Sequence, residues 1–134
     1  MLRDERQLAL NEAVEACLHA AHVHEDGAKL LGDDTLGLRE LAARRRRDAE
    51  ILAEHVRRLG DLPMEPDPEY EVASDVISHI KAALAEDNRP QVIERSNEAE
   101  EALGAALREA LRHDLPADAR ADVERILSSQ ARFS

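Results

Sequence analysis

Several potential metal ligands lie close together near the start of this sequence. Glu15, His19 and His22 are separated by four and three residues, and Asp26 follows four residues later. On a helix this spacing places the side chains on one face, where carboxylate oxygens and imidazole nitrogens can share a metal ion. With Glu100 as a ligand from a distant part of the chain, Glu15, His19 and His22 predict a site for iron, manganese or zinc. The alternative, which we favour, is that this stripe is a solvated helix face.

A di-iron centre is the most specific form of this chemistry in helical bundles. It takes a Glu from each of two helices and a Glu-x-x-His pair from each of the other two, because residues three apart converge on one metal. The sequence contains no Glu-x-x-His pair. The carboxylates therefore cannot complete the usual di-iron set with histidines of this chain.

A second polar set consists of Arg45, Asp48 and Glu100. These residues interrupt the apolar faces of two predicted helices. Arg45 and Asp48 fall between Leu41 and Leu52 at helical spacing, and Glu100 lies at an inward position of a later helix. A charged group that faces a core is costly unless it is paired. We therefore predict a buried ion network in which the Arg45 guanidinium supplies the positive charge that a metal ion would otherwise bring. We favour this network over the metal site.

Two other side chains with reactive atoms lie on the apolar face of the first predicted helix. We expect Cys17 to be a small buried hydrophobe and His24 to be a partly buried, hydrogen-bonded histidine. The sequence has no Gly-rich phosphate loop and no Ser-centred nucleophile motif. An enzymatic role is therefore disfavoured, and neither a catalytic residue nor a cofactor is predicted.

The elements that must position these residues are helices. The chain of 134 residues has 23 Ala and 18 Leu but one Phe, one Tyr and no Trp, which favours helices over strands. Apolar residues at alternating spacings of three and four predict helices over about 4–31, 35–59, 69–86, 90–112 and 116–130. The segment 62–68 holds three prolines and predicts an extended connector. The sequence thus predicts a single all-α domain over 1–134, an antiparallel four-helix bundle of two helical hairpins with one helix broken into two segments.

Charge and composition also bear on partners. The chain has 18 Lys and Arg against 29 Asp and Glu, a net charge of −11, which disfavours binding to nucleic-acid phosphates. It has no long apolar run for a membrane span, a single Cys, and a start, MLRDERQ, without the apolar run of a secretory signal, so we expect a cytoplasmic protein. Because alanine contributes little apolar area to a core, we expect the chain to form a homodimer.

The sequence resembles a small bacterial family of ferritin-like four-helix-bundle proteins, a domain of unknown function. The resemblance extends over nearly the whole chain and is carried by short motifs in a fixed order, which are Leu10-Asn11-Glu12, Ala49-Glu50, Val56-Arg57-Arg58-Leu59-Gly60, Glu100-Glu101 and Leu115-Pro116-Ala117-Asp118-Ala119-Arg120. It implies a ferritin-like bundle in which Glu15 and Glu100 match carboxylate positions of metal-binding cousins. The chain departs from the family pattern at His24, where relatives carry an aromatic, and at Leu107, where they often carry a Tyr.

Two functional hypotheses follow. The first is a non-enzymatic helical-bundle protein with a structural, stress-associated or partner-binding role, whose centre holds the Arg45, Asp48 and Glu100 network. The second is a di-metal carboxylate or single-metal protein with an oxidase or metal-handling role.

Overall fold

The computed structural model describes residues 4–32, 35–60, 63 and 88–134. In these residues the chain forms four helices, α1 (Glu5–Leu31), α2 (Leu38–Arg58), α3 (Arg89–Leu111) and α4 (Ala117–Ser128), and no strand. The helices pack as a bundle, in which α1 and α4 each contact both α2 and α3. The prediction of an all-α four-helix bundle is confirmed. The helix predicted over 69–86 and the connector predicted over 62–68, apart from position 63, lie outside the described residues.

The ends of the first helix follow from local chemistry. Asp4 caps α1, because its carboxylate accepts a hydrogen bond from the Arg6 N–H at 2.7 Å, and the Gln7 side chain accepts from the Asp4 N–H at 2.9 Å. Gly32 ends α1 with a φ of 68° and its N–H donates to the Ala28 carbonyl. A second left-handed glycine, Gly37 with a φ of 70°, precedes α2. That glycine is why α2 begins three residues later than the position predicted from the sequence.

The two pairs that are connected by short loops are antiparallel hairpins. Gln7 at the start of α1 donates from its side-chain amide to the Leu59 carbonyl just after α2. In the other pair, Arg120 near the start of α4 donates to the Leu111 carbonyl at the end of α3, at 3.2 Å. Both hairpins agree with the predicted organisation.

The hairpins also pack antiparallel to each other. Gly27 near the end of α1 lies against Val92 near the start of α3. Across the bundle, Arg58 at the end of α2 pairs with Asp118 at the start of α4, at 3.0 Å. It follows that α2 and α3 run in the same direction, so α2 ends and α3 begins at opposite ends of the bundle.

The core is built from apolar residues of all four helices. Its fully buried large members are Leu10, Val14, Leu52, Val56, Leu103, Leu107, Val123 and Ile126. Inward positions predicted along most of α3 are buried, but in its first turn Val92 is the buried residue and Ile93 is only partly buried. Val92 belongs to a second small cluster with Ala28 and Leu38. None of the helices in the described segments is both long and apolar enough to cross a membrane.

Candidate functional site

A buried polar centre lies at one level of the bundle, and every helix contributes to it. His24 comes from α1, Arg45 and Asp48 from α2, Glu100 from α3, and Ser129 directly follows α4. Arg45 and Asp48 point inward because Arg45 lies four residues after the buried Leu41 and Asp48 lies four residues before the buried Leu52 on the same helix. The geometry of this polar centre defines the candidate site.

Arg45 is the centre of the network. Its Nε donates to Glu100 Oε2 at 3.0 Å and its NH2 to Glu100 Oε1 at 2.6 Å, so guanidinium and carboxylate meet as a two-pronged fork. Its NH1 donates to Asp48 Oδ2 at 2.9 Å. The side chains are buried, with Arg45 0% exposed, Asp48 2% and Glu100 3%. The three residues predicted to form an ion network therefore lie together in the core, where Arg45 contacts both carboxylates.

The remaining guanidinium donors reach the residue that follows α4. NH1 also contacts the Ser129 hydroxyl oxygen at 3.3 Å, and NH2 contacts the Ser129 carbonyl oxygen at 3.4 Å. An arginine has five N–H donors. All five from Arg45 are thus engaged, two with Ser129 and three with carboxylates.

His24 completes the centre from α1. Its Nε2 lies 3.0 Å from Glu100 Oε2, and the ring is fully buried. Since that carboxylate oxygen can only accept, Nε2 carries a proton and donates it. The other ring nitrogen, Nδ1, is buried and has no hydrogen-bond partner among the described residues.

The electrostatics of the centre fix its charges. Burial by itself would raise the pKa of Glu100, but hydrogen bonds from His24 and Arg45 outweigh it and hold the pKa at about 2. Burial would lower the pKa of Arg45, and its contacts with Glu100 and Asp48 raise it instead. Glu100 is therefore a carboxylate, and Arg45 a cation, throughout the neutral range.

Near this centre, burial and then the charge of Asp48 raise the pKa of the Cys17 thiol to about 12, which leaves it protonated and unreactive.

Residues after α4 cover the centre, a feature that the sequence analysis missed. The Ala131 N–H donates to Glu100 Oε1 at 3.2 Å, and the Gln130 side-chain amide donates to the Glu100 carbonyl at 2.5 Å. Asn97 binds the main chain of Phe133 twice, accepting from its N–H at 2.8 Å and donating to its carbonyl at 2.9 Å. Most of these contacts are made by main-chain groups, which are the same for every residue type. The sequence therefore gives no signal from which the covering segment could be predicted.

The metal ligands predicted from the sequence are not brought together. Glu15 and His19 are exposed, whereas His22 and Asp26 are buried and their side chains approach to 3.5 Å. The stripe is thus only half solvated, which differs from the solvated face favoured from its spacing. Glu100 has both carboxylate oxygens occupied by Arg45, His24 and Ala131. Within the described residues, no three or more His, Cys, Asp and Glu side chains are arranged to hold a metal ion.

A second buried histidine contact joins α2 to α4. His55 Nε2 lies 2.7 Å from Asp122 Oδ2, with the imidazole buried and the carboxylate partly exposed. Arg125 approaches the other oxygen of Asp122 at 3.7 Å and also Asp48 Oδ1 at 3.7 Å. The contact lies next to the polar centre along α4 and links it to the surface.

The polar centre is suited to holding helices together rather than to proton or metal chemistry. An arginine does not give up its proton in proteins, and a carboxylate with a pKa of about 2 is not a general acid at neutral pH. The residues present do not fit the carboxylate and histidine set of a di-iron bundle.

In comparisons with known proteins, no family model, no curated protein and no solved structure matches this chain.

Proposed function

We propose that this chain is a non-enzymatic helical-bundle protein with a structural, stress-associated or partner-binding role, in which a guanidinium takes the place of a central metal. The observation that carries the proposal is the complete engagement of the buried Arg45, whose five donors bind Glu100, Asp48 and Ser129. A metal ion at this level would have to displace that cation and leave its two carboxylate contacts unmade. Breaking a buried ion pair in this way is costly.

We also propose that the bundle is ferritin-like, as the resemblance of the sequence implies. Two antiparallel hairpins support this, together with helices α2 and α3 that run in the same direction. A bundle whose second and third helices are parallel needs one long connection, which is the organisation of ferritin-like folds. Glu100 occupies an inward position at the middle of the bundle, where such folds place a metal-binding carboxylate.

The cytoplasmic location and the homodimer are part of the same proposal. The single Cys17 is a free buried thiol, which suits a reducing compartment. In the described part of the chain, Leu8 is the one large hydrophobic residue that is exposed, with 45% of its surface accessible. A dimer formed through the described residues would therefore use alanines and polar side chains over most of its interface. Analytical ultracentrifugation at several concentrations tests the dimer, because a single species with the mass of one chain would contradict it.

Metal analysis separates the proposal from the metal-binding alternative. The protein is purified without a histidine tag, and iron, manganese and zinc are measured in the wild type, in Glu100→Ala and in Glu101→Ala. Glu101 is the matched control because it is a mostly exposed neighbour on the same helix. We expect well below one ion per chain in all three proteins and no change in thermal stability with a chelator.

The opposite result has a clear form. About one or two ions per chain in the wild type and in Glu101→Ala, lost in Glu100→Ala, would establish the di-metal or single-metal protein instead.

A further inference from the structure

Residues 129–133, which we call the strap, contact the bundle through alternate residues of their main chain. The Ser129 carbonyl accepts from Arg45, the Ala131 N–H donates to Glu100, and the Phe133 N–H and carbonyl both bind Asn97. Ser129 is the C-cap of α4, with a φ of −91° and a ψ of 3°, and beyond it the contacts of Ala131 and Phe133 fall two residues apart, as they do in a segment that is bound along one edge. The strap is therefore held in the manner of a peptide ligand.

The groups that bind the strap form a built site. Arg45 and Glu100 are almost fully buried and fixed by each other, so their free hydrogen-bonding directions are set before the strap docks. The amide oxygen and amide nitrogen of Asn97 both bind the main chain of Phe133. This pair of hydrogen bonds does not depend on which side chain the bound residue carries. We call Arg45, Asn97 and Glu100 the receptor residues.

Two side chains of the strap have places of their own. Gln130 lies over Gly104, where an added Cβ would come within 2.6 Å of its Oε1, so the absence of a side chain in the middle of α3 makes room for it. Phe133 packs on the small cluster of Ala28, Leu38 and Val92 and meets the His24 ring edge to face, with 6.4 Å between centroids. Main-chain contacts supply binding, and these two positions supply selectivity.

We propose that the receptor residues form a binding site for an extended peptide segment of a partner protein, which the strap fills in cis. The inference rests on the partner-binding form of the proposed function and names its ligand class. The ligand presents two main-chain N–H groups two residues apart and carries a Gln-like residue three positions before an aromatic one, with a small residue directly after the Gln-like position. Release of the strap makes the same site available to the partner.

Exchange of the strap is physically reasonable. Ser129 and Gln130 close the last turn of α4, because their N–H groups donate to carbonyls of that helix, whereas residues 131–133 lie beyond these hydrogen bonds and can leave without unwinding it. Its hydrogen bonds compete with water, and each therefore contributes only modestly to docking. A surface depression runs beside it, lined by Asn97, Gly104 and Arg108 of α3 and by strap residues, so solvent already reaches one side.

The test supplies the strap in trans to a full-length chain whose own strap is weakened. The variant Gln130→Ala/Phe133→Ala leaves every receptor residue intact, and Arg132→Ala is the matched control because the Arg132 side chain is mostly exposed. The probe is a fluorescent synthetic peptide with the sequence of residues 128–134, measured by anisotropy. We expect the double variant to bind it at least about tenfold more tightly than the wild type or the control, because the tethered strap competes in those proteins.

Modified peptides show whether the main chain is what the site binds. N-methylation at Ala131 or at Phe133 removes a donated N–H and should weaken binding about tenfold each. N-methylation at Arg132, which is not among the main-chain contacts described above, should weaken it less than about threefold. Adding Asn97→Ala to the double variant should weaken binding of the unmodified peptide about tenfold or more.

Hydrogen exchange of the strap amides shows whether the double variant has released the strap, which decides how the peptide-binding result is interpreted. Faster exchange of the strap amides in the double variant, together with peptide binding, supports the proposal. Faster exchange without peptide binding overturns it, and so do unchanged exchange rates, which would mean that these side chains do not hold the strap. If the double variant does not fold, Gly104→Ala displaces Gln130 instead and is judged by the same two measurements. Metal content is measured separately, so failure of the peptide site and failure of the proposed function are distinguishable.

Discussion

Replacing Arg45 with methionine should destabilise the protein far more than the loss of one surface charge. Methionine keeps most of the apolar stem but leaves Glu100 and Asp48 as buried carboxylates, 3% and 2% exposed, without their cation. Removal of one partner from a buried ion pair typically costs about 3–5 kcal/mol. A domain of this size has a free energy of unfolding of about 5–15 kcal/mol, so Arg45→Met should remove a large part of it.

A compensated variant tests the cause of this loss. In Arg45→Met/Asp48→Asn/Glu100→Gln the stranded charges are gone, while the single amide oxygen at position 100 still accepts from one of His24 and Ala131, which donate to different oxygens of the native carboxylate. The remaining cost comes from imperfectly paired polar groups, about 1–3 kcal/mol. The triple variant should therefore be more stable than the single variant. Asp118→Asn, in the exposed pair with Arg58 at 3.0 Å, is the control and should change stability by less than about 1 kcal/mol.

Urea unfolding at neutral pH, followed by far-UV circular dichroism, measures these differences in free energy of unfolding. The reasoning would be refuted in either of two ways. A loss of free energy of unfolding below about 1 kcal/mol in Arg45→Met would mean that water can replace the guanidinium as the partner of the two carboxylates. A triple variant less stable than the single one would mean that the carboxylates were not stranded by the loss of the cation.

Three further predictions follow from the same structure. Since the pKa of Glu100 is about 2 against an ordinary 4.5, the unfolded chain binds the proton first. Its contribution of about 3 kcal/mol is complete above pH 4.5 and is lost as the pH falls towards 2, and Glu100→Gln should flatten urea-unfolding stability over that range. Gly27→Ala places a Cβ 2.8 Å from Val92 Cγ1, so overpacking should outweigh the gain in helix propensity and lower stability by roughly 1 kcal/mol in thermal denaturation. The Cys17 thiol, with a pKa of about 12 against 9.0, should react with a disulfide reagent about a thousandfold more slowly in the native than in the unfolded protein, and equal rates would contradict its burial.

Much of the fold was predictable because hydrophobic spacing and helix-end residues are local signals. The spacing of apolar residues predicted a helix over about 4–31, and the observed α1 covers Glu5–Leu31 with Leu10, Val14 and Cys17 on its buried face. The same spacing placed Arg45 and Glu100 inward, because a charged residue between buried leucines has the same direction as they do. These parts of the site follow from helix geometry alone.

Other parts depend on tertiary contacts that one sequence does not record. The strap has no periodicity, and its main-chain hydrogen bonds leave no trace in residue type. The burial of His22 and Asp26 depends on what packs against α1, and the spacing that places them on one face does not say which way that face points. The partner of His24, Glu100, is 76 positions away in the chain, and nothing local links the two.

Because the polar centre takes a group from each helix at one level, it also determines how the helices align along their axes. A slide of any one helix by a single turn, about 5.4 Å, would separate donors from acceptors that now lie within 3.5 Å. Apolar contacts between alanines and leucines tolerate such slides, since one small or branched side chain can replace another. The ion network therefore excludes misaligned packings of this alanine-rich chain, and the four helices should unfold together rather than one at a time.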